Sequence, residues 1–363
     1  MVSLNRPAVT EKVLSGQRIT SEDALELYTR PLEELGALAN YRRERAKRKS
    51  YGDRGSDIVT YIVDRNINYT NVCNVYCKFC AFYRTEKDHD HYVISFDELD
   101  RKLDELTAAG GVQILMQGGH HPKLGFEWYI DLLRHIRSKY PHINIHGFSP
   151  PELQHFAETF QMPLREVLTR FREAGLGSVP GGGGEILVDR VRKRISPLKI
   201  NSKQWLEVMQ VAHELGLKSS ATMMFGHVET IEDRVEHLQR IRDQQDITCG
   251  FTAFICWTFQ PENTVLKVKQ KTSVAEYLRM QAIARIFLDN IENIQSSWVT
   301  QGPAIGQIAL KYGANDFGSV MMEENVVSSA GTTFRLDAGE IERLIRDAGY
   351  EPRRRNNWYE LLN

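Results

Sequence analysis

From residue 57 to about residue 325, short apolar runs alternate with amphipathic helical patterns, and no other feature of the chain limits its fold as strongly. Such alternation forms a parallel sheet whose helices cross from one strand to the next. Helical patterns that end at Gly110, Gly175 and Gly216 have the usual helix stop. The predicted strands are 58–67, 113–117, 143–148, 176–179, 219–225, 250–258, 293–298 and a weaker run, 317–321. Eight units favour an α/β fold of the TIM-like (β/α)8 barrel type, and an open, doubly wound sheet is the alternative.

This pattern divides the chain into three parts. Residues 1–52 are predicted to form an N-terminal helical extension, residues 53–325 the barrel, and residues 326–363 a C-terminal helical tail that packs on the barrel. Two basic runs, 42–48 and the tripeptide that starts at Arg353, are interpreted as solvated surface.

Composition excludes several functional classes. The formal net charge of −1 lacks the basic excess of a nucleic-acid-binding protein, so we expect no nucleic-acid partner. No stretch approaches the roughly 20 apolar residues that a membrane span needs, so we expect no membrane insertion. The N-terminus lacks the apolar run of a secretory signal, and we therefore expect a cytoplasmic location.

The cysteines indicate a metal site. Five is an odd number, and Cys73, Cys77 and Cys80 lie within eight residues, directly after the first predicted strand. This suits metal binding in a reducing compartment better than a disulfide framework. Three thiolates fit three irons of a cubane cluster and leave the fourth iron open. The alternative is structural zinc, with one of two nearby histidines as the fourth ligand.

Further polar and glycine residues follow the other predicted strands. In a barrel, functional groups lie at the carboxyl ends of strands. The second strand ends in Gln117-Gly118-Gly119-His120-His121, and Glu152 follows the third. The fourth precedes four glycines, 181–184, and Glu185, and the fifth ends near Met224, His227 and Glu229. Four glycines in a row favour a place where the backbone meets a ligand. The remaining cysteines, Cys249 and Cys256, are interpreted as core residues.

The spacing C-x3-C-x-aromatic-C, on a loop after the first strand, resembles the motif of the radical S-adenosylmethionine (SAM) superfamily. The resemblance implies a [4Fe-4S] cluster on Cys73, Cys77 and Cys80, whose open iron binds the methionine moiety of SAM. One electron then splits SAM into methionine and a 5′-deoxyadenosyl radical. Phe79 is implied to lie beside the adenine, and the backbone of 117–119 to bind the methionine amino group. His120 stands where the superfamily has a glutamate.

The same resemblance suggests roles for four other residues. Glu185 and Arg194 are candidates for the ribose and carboxylate of SAM. Glu152 either reaches a ribose hydroxyl or starts a helix after two prolines. Met224 either flanks the adenine or packs in the core.

Four longer sequence segments indicate which family within the superfamily the chain resembles. MQGGHHPKLGFEWY, HGFSPPE, VPGGGGEILVDRVRKRISPLK and ATMMFGHVET together resemble the cyclic dehypoxanthinyl futalosine synthases (dehypoxanthine futalosine cyclases) of the futalosine route to menaquinone. These enzymes are implied to abstract a hydrogen from the ribose C4′ of dehypoxanthine futalosine and to close a carbon ring onto its benzoate. An electron donor such as flavodoxin or ferredoxin is implied as well.

Restoring the aromatic ring needs a base, for which histidine is well suited. The candidates are His120, His121, His227 and, behind them, Glu229. Within the superfamily, aminofutalosine synthase and the deazaflavin (FO) synthases are the alternatives. An alternative of another class is a zinc-binding barrel without radical chemistry.

Overall fold

The computed structural model describes residues 8–362. Residues 1–7, at the start of the predicted extension, and Asn363, at the end of the predicted tail, lie outside the described residues. The strands are β1 Ile58–Ile62, β2 Asp64–Ile67, β3 Gln113–Met116, β4 Asn144–Gly147, β5 Leu176–Val179, β6 Lys218–Phe225, β7 Phe251–Thr258, β8 Asn293–Gln295, β9 Asp316–Ser319 and β10 Glu351–Arg354. The helices are α1 Val9–Leu14, α2 Ser21–Leu27, α3 Leu32–Ala46, α4 Arg48–Tyr51, α5 Phe96–Ala108, α6 Phe126–Lys139, α7 Pro150–Thr159, α8 Leu164–Ala174, α9 Asp189–Ile195, α10 Ser202–Glu214, α11 Ile231–Thr248, α12 Val274–Phe287, α13 Trp298–Gln301, α14 Pro303–Ala309 and α15 Ala338–Asp347.

All the strands pair in parallel in one curled sheet, in the order β10-β1-β9-β8-β7-β6-β5-β4-β3-β2. Each predicted strand region is present, and the first is split into β1 and β2 at Val63. Several helices begin with a capping box, in which the side chains of the cap and the third helical residue bond to each other's backbone. The pairs are Thr20–Asp23, Ser149–Glu152, Asn201–Gln204, Thr230–Asp233 and Asp337–Glu340.

The two ends of the sheet meet in the first strand region. β1 pairs with β9 and β2 pairs with β3, although β1 and β2 are consecutive in the chain. The Val63 carbonyl accepts from the Val112 amide at 3.1 Å, and the Ile62 carbonyl accepts from the Val320 amide at 3.0 Å. An open, doubly wound sheet has no such junction, so the prediction of a TIM-like α/β barrel is confirmed.

The inward face of the sheet is unusually polar. Asn66, Gln113, Ser220, Thr252 and Gln295 line a cavity of about 290 Å³ inside the barrel. The interior of a (β/α)8 barrel is usually filled by layers of branched apolar side chains. Here the apolar core lies between the strands and the surrounding helices, so the barrel keeps an internal space.

The N-terminal helices pack on the barrel, and part of the basic run 42–48 faces inward. Arg43 is buried and donates to the carbonyls of Ala314 and Ser56, both at 2.9 Å. Lys47 is also buried and donates to the Asn293 side chain at 2.8 Å. The prediction that this run is solvated is therefore wrong for these two cations, because each finds buried oxygen acceptors.

The tail after residue 326 contains helix α15 but also strand β10, which pairs with β1 where a purely helical tail was predicted. Arg355 follows β10 and donates to both carboxylate oxygens of Asp316, at 2.6 and 3.0 Å, with both side chains buried. Together with Asn357 and Tyr359, Arg355 lines the end of the interior cavity that lies beside the start of β9. The prediction of a solvated basic tail is wrong at Arg355, because Asp316 pairs with it inside the protein.

Among the described residues, no helix combines the length and the apolar character required to cross a membrane.

Removing one partner of the buried Arg355–Asp316 pair leaves an uncompensated charge, which typically costs about 3–5 kcal/mol of stability. We therefore expect Arg355→Ala to lower the thermal unfolding midpoint by several degrees. Arg343→Ala, which breaks the exposed pair with Asp347, should change stability by about 0–1 kcal/mol. Equal midpoints for the two variants in differential scanning calorimetry would contradict this role of Arg355.

Candidate active site

The cysteine loop, residues 68–94, joins β2 to α5 and carries Cys73, Cys77 and Cys80. The Cys73 amide donates to the Arg84 carbonyl at 2.9 Å, which folds the loop back on itself. The Arg84 guanidinium donates to the three carbonyls of residues 81–83 and so holds the end of the turn. All three cysteines line one cavity of about 290 Å³ at the carboxyl ends of the strands.

The surroundings of the thiols favour the neutral form. Burial raises the pKa of Cys77 to about 12 and also raises the pKa of Cys80. Metal loading must therefore displace protons from these sulfurs. Among residues 8–362, no three histidine, cysteine or acidic side chains are grouped closely enough to hold a single metal ion. A cubane cluster does not require such a group, because each thiolate binds a separate iron.

The Gly118–Gly119 backbone packs tightly against the cysteine loop. The Gly119 amide donates to the Thr70 carbonyl at 3.0 Å, and the Asn74 amide donates to the His120 carbonyl at 3.2 Å. A Cβ on Gly119 would meet the Val72 carbonyl oxygen at 2.1 Å, and one on Gly118 would meet the Tyr69 ring at 2.5 Å. The two glycines thus allow the end of β3 to lie against the cysteines.

Glu152 fixes this arrangement from the next strand connection. Its carboxylate accepts from the Tyr69 hydroxyl at 2.7 Å, the Gly118 amide at 3.0 Å, and the Ser149 amide and hydroxyl at 2.8 and 2.5 Å. Ser149 and Glu152 form the capping box of α7. Of the two interpretations of Glu152, the structure therefore favours the helix start, although the residue also borders the cavity.

The four glycines 181–184 form a tightly packed turn. A Cβ on Gly182 would meet the Gln117 amide nitrogen at 2.2 Å, and one on Gly183 would meet Pro151 at 2.2 Å. The Trp205 indole donates to the Gly182 carbonyl at 3.1 Å. Gly182 and Gly183 do line the cavity, but packing against the protein itself explains why larger residues do not fit here.

Glu185 lies at the cavity wall, between two cations. Lys199 donates to its Oε1 at 2.9 Å, and Arg192 lies 3.6 Å from its Oε2. Oε2 is buried and has no hydrogen-bond partner. Burial opposes the charge of Lys199, but Glu185 and Cys77 outweigh it and hold the pKa of Lys199 above its usual value. Lys199 also lies 5.1 Å from the centre of the Phe79 ring.

Of the residues predicted to bind SAM, Arg194 does not line this cavity, whereas the others do. Phe79, Gln117 and Met224 line it. Arg194 is exposed on α9 and is not among the lining residues. Its place near Glu185 is taken by Arg192 and Lys199, neither of which the sequence analysis selected.

Three of the four candidate bases, His121, His227 and Glu229, form hydrogen bonds or ion pairs away from the cavity. The His121 ring accepts from the amides of Lys123 and Leu124 at 3.1 and 3.2 Å, which caps a turn. His227 Nε2 lies 3.0 Å from the Met224 carbonyl, and its Nδ1 lies 3.0 Å from Glu229. None of His121, His227 and Glu229 borders the cavity.

Glu229 belongs to the same turn. Its carboxylate accepts from the Gly226 and His227 amides at 2.6 and 2.9 Å and pairs with Arg234 at 2.9 Å. Burial favours the neutral acid, but the His227 ring, followed by Arg234 and the Gly226 amide, holds the pKa of Glu229 far below its usual range. Glu229 thus stays ionised and stabilises the turn after β6.

His120 is different, because its ring faces the cavity and forms no hydrogen bond in the structure. It lies against the His155 ring at 4.7 Å between centres. Burial, followed by His155 and Lys199, lowers the pKa of His120 well below 6.5. Its imidazole is therefore neutral near pH 7 and keeps a lone pair for a proton.

The other two cysteines differ from each other. Cys256 is buried and its thiol contacts Gln281 at 3.3 Å. Cys249 is exposed at the end of α11 with a positive φ of 48°, so the prediction of a core position is wrong there. The histidines of the zinc alternative, His89 and His91, are exposed on the outer part of the cysteine loop.

The cysteine cavity adjoins the barrel interior. Gln117, Gly182, Trp257 and Thr300 line both spaces. In the interior cavity, Asn66 is buried and its Oδ1 has no hydrogen-bond partner. Two neighbouring chambers thus each contain one buried oxygen that no protein group satisfies.

Comparison with known proteins identifies the family. The model of the radical SAM superfamily matches residues 67–241, and the model of the CofH/MqnC C-terminal region matches residues 248–363. The chain is 46% identical to cyclic dehypoxanthine futalosine synthase from Halalkalibacterium halodurans, covering 98% of this chain and 94% of that protein. It is 47% identical to the synthase of the same name from Streptomyces coelicolor, covering 98% and 88%. The chain belongs to the radical SAM superfamily.

A solved structure supports the fold independently. Methylornithine synthase aligns with a TM-score of 0.74 at 18% identity, covering 95% of this chain and 97% of that one. Radical SAM proteins use a [4Fe-4S] cluster and SAM, which excludes the zinc-binding alternative. The cysteine chamber suits both groups, since it combines three thiols with a glycine backbone edge and an unsatisfied carboxylate oxygen.

The fit at Gly119 can be tested by adding one methyl group. In Gly119→Ala the new Cβ meets the Val72 carbonyl, so Cys73 must shift. We expect a several-fold fall in iron and sulfide per chain after anaerobic reconstitution. Gly125→Ala is the control, because a Cβ there meets no atom within 4 Å. Wild-type iron content in Gly119→Ala would show that this contact does not position the cysteines.

Proposed function

We propose that the chain acts as a cyclic dehypoxanthine futalosine synthase in menaquinone biosynthesis. The observation that carries the proposal is the pair of adjoining chambers, one beside the three cysteines and one inside the barrel. SAM would bind in the first, and dehypoxanthine futalosine in the second. The two similar synthases cover nearly the whole chain, which supports the same reaction here. Because cysteine ligands need a reducing environment, we place this activity in the cytoplasm.

In the cysteine chamber, the unsatisfied Oε2 of Glu185 supports a role in binding a hydroxyl donor of SAM. A ribose hydroxyl is such a donor, and a buried acceptor that stays unpaired costs stability. Lys199 holds the other oxygen of Glu185 in place, and Phe79 and Met224 provide flat and flexible apolar surfaces for a purine.

In the barrel chamber, Asn66 would bind the substrate. Its Oδ1 accepts a hydrogen bond only from a donor that the protein does not supply. The substrate carries hydroxyl groups on its ribose-derived ring. The apolar walls near Trp257, Trp298 and Val299 suit its aromatic ring.

When bound, the cluster and SAM supply a one-electron cleavage that generates a carbon radical able to abstract the C4′ hydrogen of the substrate. The protein positions the substrate so that C4′ faces the cysteine chamber and the benzoate lies within reach of C4′. Fixed proximity of two reacting carbons lowers the barrier to ring closure. Arg355 and Tyr359 line one end of the interior cavity and are themselves buried, which would limit the access of water to a reactive radical from that end.

After ring closure, the ring radical regains aromaticity by losing one proton and one electron; His120 would take the proton, and the oxidised cluster, when bound, would take the electron. A base with a low pKa suffices, because the proton that leaves an oxidised cyclohexadienyl ring is strongly acidic. The neutral ring of His120 borders the cysteine chamber, whereas His121, His227 and Glu229 do not.

The decisive experiment is anaerobic incubation of the reconstituted protein with SAM, a reductant and dehypoxanthine futalosine, followed by mass spectrometry. We expect free 5′-deoxyadenosine and a cyclised product of unchanged carbon content. Cys77→Ala should abolish both products, and Cys249→Gly, which removes an exposed thiol at a positive φ, should retain them. An adenosyl adduct of the substrate would instead indicate aminofutalosine synthase chemistry.

If Asn66 binds the substrate, its substitution should impair the reaction of dehypoxanthine futalosine but not the cleavage of SAM. Asn66→Leu keeps the side-chain size but removes the buried acceptor, which is worth about 1–3 kcal/mol. We expect kcat/KM for dehypoxanthine futalosine to fall by roughly 5- to 100-fold. Slow cleavage of SAM in the absence of substrate should stay unchanged, because Asn66 does not border the cysteine chamber. An unaltered kcat/KM would remove Asn66 from the substrate site.

If His120 is the base, its substitution should lower the yield of cyclised product relative to that of 5′-deoxyadenosine. His120→Phe should still form 5′-deoxyadenosine but should yield at least several-fold less cyclised product per 5′-deoxyadenosine. Since the pKa of His120 is lowered well below 6.5, its charge is constant from pH 6 to 8, and the wild-type ratio should not vary in that range. His142→Gln, which changes an exposed histidine, is the control. A normal ratio in His120→Phe would exclude it as the base.

A further inference from the structure

We infer that an acidic one-electron carrier protein docks on one particular face of the chain, beside the cysteine loop. This face, called the basic face below, is formed by the cations Lys78, Lys193, Arg194 and Lys269 and by the apolar side chains Tyr76, Leu198 and Val265. The inference rests on the proposed function, because it supplies the electron which that reaction needs.

Three separate segments meet at the basic face. The Lys78 amide donates to the Ile195 carbonyl at 2.9 Å, and the Lys78 carbonyl accepts from the Leu266 amide at 2.7 Å. These two bonds join the cysteine loop to the end of α9 and to the loop after β7. The cations and apolar residues of the face lie within three residues of these contacts.

The four cations are exposed, and none of their side chains forms an ion pair or hydrogen bond in the structure. The segments 76–78, 193–198 and 265–269 contain no acidic residue. Glu262, which lies three residues before Val265 in the chain, is already paired with Lys271. The chain as a whole has a formal net charge of −1, so this local excess of positive charge is not a property of the whole surface.

The same face exposes large apolar side chains. Leu198 and Val265 are each 65% exposed, and Tyr76 is 48% exposed. Protein interfaces combine apolar contacts with a charged rim that steers the partner. A small inorganic anion would satisfy the cations alone, whereas an acidic protein satisfies both the cations and the apolar side chains.

The position of the face suits electron transfer. Cys77 is buried and directly precedes the exposed Lys78 in the chain, and Cys80 is partly exposed. The rate of electron transfer falls steeply with distance, so the surface next to the cysteines is the most favourable entry point. In the proposed step, the reduced carrier would give up one electron, and the cluster that Cys73, Cys77 and Cys80 would hold would accept it.

Electrostatic docking predicts a charge-dependent rate. With flavodoxin kept reduced by NADPH and its reductase as the probe, the charge reversal Lys193→Glu/Arg194→Glu/Lys269→Glu should lower 5′-deoxyadenosine formation about tenfold or more at low salt. High salt should narrow the difference from wild type, because exposed charges are screened. With dithionite as a small reductant, the same variant should react at the wild-type rate, since none of the three residues borders either chamber.

A matched control reverses three exposed cations elsewhere, Arg48→Glu/Lys49→Glu/Arg134→Glu, which also lack a charged partner. This control should keep the flavodoxin-driven rate, although its net charge changes equally. The glutamine series Lys193→Gln/Arg194→Gln/Lys269→Gln should show a smaller loss and a weaker salt dependence.

A flavodoxin-driven rate that survives the charge reversal would overturn the docking face, and so would an equal loss with both reductants. A wild-type protein that forms no cyclised product with dithionite would instead overturn the proposed function. The two failures are therefore distinguishable in one set of assays.

Discussion

The close contact between the end of β3 and the cysteine loop is the constraint on which the rest of the site depends. Gly119 lies against the Val72 carbonyl so closely that one methyl group does not fit, and its amide is bonded to Thr70. Glu152 reaches the adjacent Gly118 amide from the next strand connection. The sulfurs, the glycine edge and the first turn of α7 are therefore positioned as one unit, and a shift in any of them moves the others.

The inner and outer faces of the barrel sheet differ in polarity. On the outside, apolar strand residues pack against helices in the usual way. On the inside, amides and hydroxyls replace the branched apolar layers and leave room for a ligand. Such a space weakens a fold unless its polar groups are satisfied, and the tail provides part of that satisfaction, since Arg355 neutralises Asp316.

The sequence predicted what depends on local spacing. The three cysteines, the glycine pair and each strand region lie where the pattern placed them, because strand ends and loop motifs are short-range features. The polar cavity inside the barrel could not be predicted from the inward-facing strand residues. Polar residues at alternate positions are also typical of a sheet face that is exposed to solvent.

The sequence did not predict which side chains after a strand end face the cysteine chamber. His120 and His121 are adjacent, yet one faces the chamber and the other caps a turn. On α9 a usable signal did exist. Val191 and Ile195 mark the buried side at helical spacing, which turns Arg192 inward and Arg194 outward. The pairing of Arg355 with Asp316 had no such signal, because the two residues are 39 positions apart.

The distribution of charge fits radical chemistry better than ionic catalysis. At the wall of the cysteine chamber, the carboxylate of Glu185 lies between the cations Lys199 and Arg192, and His120 is neutral. A carbon radical carries no charge that such a site must stabilise; it needs fixed neighbours and little water. The four cations of the basic face, which have no such partner, lie instead on the outer surface, where a charged protein can approach them. The chain thus separates two tasks that both centre on the cysteines: an interior whose charges are paired for the reaction, and a charged exterior for the electron that starts it.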